Sequence, residues 1–391
     1  MTNVPRRPGD RAANHNPKRV QGADAPRRQI LATPASQEIL ARFQPGHANP
    51  LRVLEAVIGM FNTQHTALDK VVSHKTRVER AQFLRRFFLD LKNKAGFSTI
   101  PDPRNLGQKH LHAMVQVWQR ERLAAATIQT YLSFLRGLAL WLGKPGFVRK
   151  PAFYGLQPDE YERHENAQRD QSWSANGLDV EKIIAQVEAF DARVASSMRL
   201  MAAFALRRKE SVMLRPYEHV IPFEKTGLPE EARRADEYLW IKGKGGRVRW
   251  EPIQTPEQIT AVEKARMLVT SRDAHMGNPA KDLKQNLLRL DYVLRKFGIT
   301  RKLAGTTAHG LRHGNLIALY EQSAGALPPV RGGSGVSPDV DRAARRAVAQ
   351  RAGHSRLRAA GAYIGARTLS IPESPAPSPS IPPDGTKPSG E

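Results

Sequence analysis

Cysteine is absent from all 391 residues. Its absence excludes disulfides, cysteine-based zinc sites and thiol nucleophiles, and it fits a reducing cytoplasm. No apolar run approaches the ~18 residues that a membrane span needs, so no membrane partner is expected. The opening stretch, MTNVPRRPGDRAANHNPKRV, has no apolar segment of the secretory kind. It shares arginine richness and a scarcity of acids with transit peptides, but its Pro and Gly would break an amphipathic helix. A disordered basic arm over 1–46 is the expectation. Negative charge is scarce throughout: 37 Asp+Glu face 61 Lys+Arg, a net charge of +24. Such an excess points to a polyanionic partner, nucleic acid first. The plain alternative is a ribosomal or merely soluble basic protein.

Length suggests two or three domains, each able to bury a core. Between about 50 and 145 the apolar residues recur at helical spacing. Leu84, Phe87, Phe88 and Leu91 form one stripe, Leu111, Met114, Val115 and Trp118 a second, and Ile128 through Leu142 a third that Gly143 and Pro145 stop. Four or so short helices of this kind make a bundle over 47–148. Its polar faces carry Lys75, Arg77, Arg80, Arg85, Arg86, Lys92 and Lys94. These are a solvated surface or a DNA-facing one, and the whole-chain charge favours the second, with Lys75, Arg77, Arg85 and Arg86 as the chosen contacts.

Residues 149–172 crowd mixed charges without apolar period and are expected to be a linker. A second domain, 173–367, resumes with helical patterning at Val180, Ile183, Ile184 and Val187, then Val194, Met198, Met201 and Ala205. Two strand-like runs flank Gly243-Lys244-Gly245-Gly246, a hairpin signal. Helical patterning then continues, interrupted by the Gly/Pro-rich SAGALPPVRGGSGVSPDV at 323–340. The Pro/Ser-rich 368–391 should be an unstructured tail. The expected fold class is therefore mainly α with a small β-sheet or hairpin.

Four fragments hold the chemistry: ALRRKE (205–210), GKGGRVR (243–249), HGLRH (309–313) and GHSRLRAAGAY (353–363). They contain Arg207, Lys244, His309, Arg312, His354 and Tyr363. No carboxylate cluster suits Mg²⁺, and the His309/His313 pair lacks the Glu of a zinc-protease helix. Two guanidiniums and two imidazoles can cage the non-bridging oxygens of a phosphate. A tyrosine hydroxyl can attack phosphorus, and a lysine on a hairpin tip can protonate the departing oxygen. Cationic clamps stabilise the charge that phosphoryl transfer spreads over those oxygens. Each fragment alone is ordinary: a surface arginine, a turn lysine, a capped helix start, a half-buried aromatic. Their joint occurrence in this order is not.

That order resembles the tyrosine recombinases, the phage integrase family. ALRRKE resembles the family's G-L-R-x-x-E box, with Glu210 as its carboxylate. KGKGGRVRWEPI is similar to the hairpin G-K-G-x-K-x-R-x-x-P and puts the family lysine at Lys244. HGLRH matches H-x-L-R-H, and the tyrosine nine residues beyond His354 matches the last box. The likeness covers about 175–366, while 50–145 looks, less specifically, like the family's SAM-like core-binding domain. There are departures. Arg312 and His354 lie 42 residues apart, across the Gly/Pro-rich insert, and Ala360, Ala352 and Gly314 stand where the family usually has Thr, Leu and Thr or Ser.

The resemblance implies a site-specific DNA recombinase or integrase acting through a 3′-phosphotyrosyl bond, for integration or excision of a phage or mobile element in a bacterial cytoplasm. Tyr363 would be the nucleophile, Arg207, Arg312 and His354 the phosphate ligands, His309 a proton carrier and Lys244 the general acid. No metal or other cofactor is implied. Expected partners are double-stranded DNA at specific sites, through Lys75, Arg77, Arg85, Arg86, Arg247 and Arg249, and further protomers in a tetramer on paired sites. Accessory DNA-bending or directionality proteins are the remaining partners. The alternatives are a non-catalytic DNA-binding protein on the same fold and a topoisomerase IB-like strand transferase.

Overall fold

The computed structural model describes residues 40–44, 47–65, 71–243 and 246–367. Apart from 40–44, the arm expected over 1–46 falls outside the described residues, as do the tail over 368–391 and Lys244 itself. The chain divides into two units, Met1–Arg163 and His164–Glu391.

The first unit is helical. Asn49 caps α1 (Pro50–Phe61) by accepting from the Leu51 amide, and Pro50 sits where a missing N–H costs nothing. Ser73 caps α2 (His74–Asn93) in the same manner. Then come α3 (Gln108–Arg120), α4 (Ala125–Trp141) and the short α5 (Pro158–Tyr161). The three stripes read from the sequence converge on one core, in which Leu84, Phe87, Leu111, Met114, Leu132 and Trp141 are fully enclosed. Gly143, at φ 71°, turns the chain after α4 where a side chain would strain it. The sequence wrongly puts Arg80 on the polar face. It is 4% exposed, donates to the Asn62 side chain and to the Asn62 and Gln64 carbonyls, and lies over the Trp141 ring. Three acceptors and an aromatic face make this guanidinium more favourable inside than helix periodicity can reveal.

The segment 149–172 is not featureless. It holds a 3₁₀ turn, Pro151–Tyr154, with Tyr154 buried, and α5. The boundary between the two units falls within it.

The second unit opens with α6 (Val180–Phe190) and α7 (Ala192–Phe204), Asp191 accepting from the Val194 amide at their junction. Ala205, expected to continue the helix, instead takes a left-handed φ of 50°. This turn aims its carbonyl at Arg312, which donates to it. α8 (Arg208–Val212) follows, then a three-stranded antiparallel sheet in the order β1 (Val220–Pro222), β2 (Glu237–Lys242), β3 (Val248–Pro252). The β2–β3 hairpin was legible from its turn. β1, three residues long, is too short to show a period of two. Beyond lie α9 (Pro256–Met267), α10 (Leu283–Lys296), α11 (Arg301–Ala304), α12 (His309–Ala324), α13 (Pro338–Arg351) and α14 (Gly361–Ile364). Leu316, Ile317, Tyr320, Ala344, Val348, Tyr363 and Ile364 pack into one buried cluster, so α12, α13 and α14 share a core. Most of the long gap between Arg312 and His354 is α12 and α13 themselves. The insert is the short connection from Gly325 to Ser337, with a 3₁₀ turn at Pro329–Arg331. No described helix is long and apolar enough to cross a membrane.

Candidate active site

Arg207 stands at the start of α8, where the Glu210 carboxylate accepts from its amide (2.9 Å) and from its guanidinium (2.7 Å). Its other terminal nitrogen donates to the Ala352 carbonyl at 2.8 Å. Arg312 donates to that same carbonyl at 2.6 Å, to Ala205 O, and through Nε to the Tyr363 hydroxyl at 3.1 Å. One backbone oxygen thus aligns both arginines. Ala352 contributes through its main chain, so a small side chain there leaves the arrangement intact. A guanidinium has five N–H donors. Arg312, fully buried, spends three on the protein, and Arg207, with its side chain 25% exposed, spends two.

Tyr363 is 5% exposed. Its hydroxyl lies between Arg312 Nε and His354 Nε2, the latter at 3.4 Å, and the Arg312 guanidinium sits 5.3 Å from its ring centroid. The His309 and His313 rings flank it at 6.0 and 5.0 Å and pack edge-on against each other. Five of the six residues singled out for catalysis therefore come together. Lys244 lies between β2 and β3, outside the described residues.

The imidazoles are held uncharged. Burial, then Arg207, Arg312, Arg247 and Arg249, pulls His354 down to about 4. Burial lowers His313 to about 4 as well, with Asp170 opposing and Arg312 assisting. For His309 lost hydration, then His313, Arg312, Arg207 and Arg208, give about 3. His309 as a whole residue is exposed. Burial also lowers the Arg312 guanidinium, but an arginine remains charged. A neutral imidazole keeps one ring nitrogen free to accept a proton while the other donates, which an imidazolium cannot do.

Beneath this layer runs a second one, built on Glu210 and Arg249, whose partners no motif announces. Burial works against the Glu210 carboxylate, but Arg249 and Arg207 outweigh it and draw its pKa down to about 2. Arg249, expected on the DNA side, is instead buried and pairs with Glu210 at 2.9 Å. Its neighbour on the same face of β3, Glu251, accepts from Arg351 at 3.1 Å, and burial raises that carboxyl above its usual range despite Arg351, Arg249 and Arg312. Arg249 and Glu251 alternate inward on the strand, a period-two signal, but nothing in the sequence names their partners. Arg247 remains exposed and donates to Ser355 Oγ at 3.0 Å, beside His354. In the first unit Lys75, Arg85 and Arg86 are exposed and paired with Glu79, Glu55 and Asp90. Arg77 is half-buried.

A helical bundle and a helical unit with a three-stranded sheet, the latter bringing arginines, histidines and a tyrosine together, can be compared with known proteins. Residues 61–148 match the family described as phage integrase, N-terminal. Among solved structures, the chain is similar to a lambda integrase tetramer bound to a Holliday junction. The identity is 12% and the TM-score 0.50, over 86% of this chain and 83% of that one. It also matches the XerH site-specific recombinase bound to a difH substrate, at 14% identity and a TM-score of 0.43, over 84% and 89% of the two chains. The Tn1549 transposon integrase with circular intermediate DNA matches at 13% identity and a TM-score of 0.45, over 81% and 96%. The lambda integrase likeness establishes the fold. Among curated proteins none matches.

Proposed function

We propose that this protein is a site-specific DNA recombinase that cuts and rejoins DNA through a tyrosine. The observation that carries the reading is the hydroxyl of Tyr363 held between Arg312 Nε and His354 Nε2. Tyr363 Oη attacks the scissile phosphorus and its proton passes to a neutral imidazole, with His309 as the carrier. The bond from phosphorus to the 5′ oxygen breaks, and that oxygen takes a proton from Lys244, leaving a 3′-phosphotyrosyl bond and a 5′ hydroxyl. Arg207, Arg312 and His354 hold the non-bridging oxygens, where charge accumulates in the transition state. Attack by a 5′ hydroxyl of a second duplex reverses the step and exchanges strands, so the phosphodiester energy is conserved without a nucleotide. Lys75, Arg77, Arg85, Arg86 and Arg247 contact DNA phosphates, while Arg249 holds Glu210. Strand exchange between two duplexes calls for four protomers, the assembly named for the lambda integrase structure. The biological role is integration or excision of the element that carries the gene.

The test uses nicked duplexes from the ends of that element, incubated in EDTA with the wild type and with Tyr363→Phe. The expected result is an SDS-resistant protein–DNA band with the wild type alone, at equal DNA affinity. A band that survives in Tyr363→Phe overturns the nucleophile. DNA bound by the wild type with no band points to the non-catalytic alternative.

A further inference from the structure

Tyr363 sits on a helix of four residues, too short to hold itself in place. Its support comes from two segments that no catalytic motif includes. The first is the strap 165–172, leading into Trp173. The Ala167 amide donates to the Gly361 carbonyl at 2.8 Å, and Asn166 lies so close that a Cβ on Gly361 would meet its side-chain oxygen at 1.9 Å. The second is the insert after α12. Val330 packs on the cluster that contains Tyr363, and a Cβ on Gly365 would approach the Val330 backbone nitrogen to 2.9 Å. Arg331 joins the two. Its Nε donates to Asp170 at 2.7 Å and its Nη1 to Glu321, on α12, at 2.8 Å. Asp170 is further fixed by the Ser172 amide at 2.7 Å. One arginine of the insert therefore fastens the strap to the helix that carries His309 and Arg312, with the tyrosine segment enclosed beside them.

We infer that Arg331 is a positioning residue: through Asp170 and Glu321 it locks the strap and the insert around α14 and so holds the Tyr363 hydroxyl against Arg312. The pairing is partly buried, with the Arg331 side chain 28% and Asp170 8% exposed, so it is shielded from salt more than a surface ion pair. The role rests on Tyr363 being the nucleophile, but the lock itself can be examined without DNA.

Two measurements on the full chain test it. In hydrogen–deuterium exchange of the free protein, Arg331→Ala should speed exchange at Ala167 and across 361–365 about tenfold. Arg331→Lys should restore part of the protection, and Arg342→Ala, which removes an exposed pair with Asp339 on α13, should change nothing there. Unchanged exchange at Ala167 and 361–365 in Arg331→Ala overturns the lock. With the nicked duplex at saturating protein, covalent bond formation should slow about tenfold in Arg331→Ala while DNA affinity stays within twofold. Parallel losses of rate and affinity would make Arg331 a general support and refute positioning. If the wild type itself forms no covalent bond, the recombinase reading fails, and exchange still decides the lock.

Discussion

Gly310 has no room for even a methyl group. A Cβ there would stand 2.2 Å from Thr306 Oγ1, 2.5 Å from the Gln171 carbonyl and 2.6 Å from the Trp173 ring. Two of those three neighbours are fixed by the backbone and by a buried indole, so they cannot step aside. Gly310→Ala should therefore cost about 1–3 kcal/mol through overpacking. It should also displace the start of α12, so that cleavage falls more than DNA binding does. Urea unfolding and single-turnover cleavage measure the two effects.

His313 allows a pH prediction. An unfolded histidine titrates near ~6.5, and here the folded ring titrates at about 4. As pH falls through that window the unfolded chain takes up a proton that the folded one refuses. The contribution is complete above ~6.5 and is lost progressively down to about 4, at about 1.4 kcal/mol per pH unit. Unfolding free energies at pH 7 and pH 5 should differ by about 2 kcal/mol less in His313→Gln than in the wild type. An identical difference in both proteins would assign the acid sensitivity to other groups.

Between elements, the decisive contacts join residues far apart in the chain. Arg80 on α2 ties down the turn after α1, where it satisfies Asn62 and Gln64. Arg80→Ala strips three acceptors of a charged donor and uncovers the Trp141 face. The expected loss is about 2–4 kcal/mol, each hydrogen bond to a charged group counting for roughly 1.5–3 kcal/mol before relaxation. Differential unfolding of the full chain checks it, and a loss under about 0.5 kcal/mol, typical of a surface substitution, would return Arg80 to the polar face. The apolar stripes of α1 to α4 and the β2–β3 turn could be read in advance because helix and hairpin periods are local. β1 could not, nor could the left-handed turn at Ala205, whose carbonyl accepts from Arg312, 107 residues away.

For the molecule as a whole, the proposed DNA binding by a chain of net charge +24 should depend on salt. Each phosphate neutralised contributes a slope of about −0.9 in log K against log salt. Lys75→Ala and Arg247→Ala, both removing exposed cations, should each reduce the slope by about 1 and weaken all duplexes alike. Arg249→Ala should instead lower stability, because it leaves Glu210 and Glu251 buried with fewer partners. Filter binding across a salt series separates the two classes, and an unchanged slope in Arg247→Ala would remove it from the DNA surface.

Local information in the sequence was enough for the helical bundle and the hairpin, because helix period and turn chemistry are written within a few residues; the candidates Arg207, His309, Arg312, His354 and Tyr363 came from their joint order and the family resemblance. Which charges face inward was not. Arg80, Arg249, Glu251, Asp170 and Arg331 look like any surface residue, and only folding brings each to its partner, Asp170 and Arg331 from 161 residues apart. A guanidinium or carboxylate is buried only when the other half of its hydrogen bonds arrives from elsewhere in the chain, and that arrival is a property of the tertiary structure.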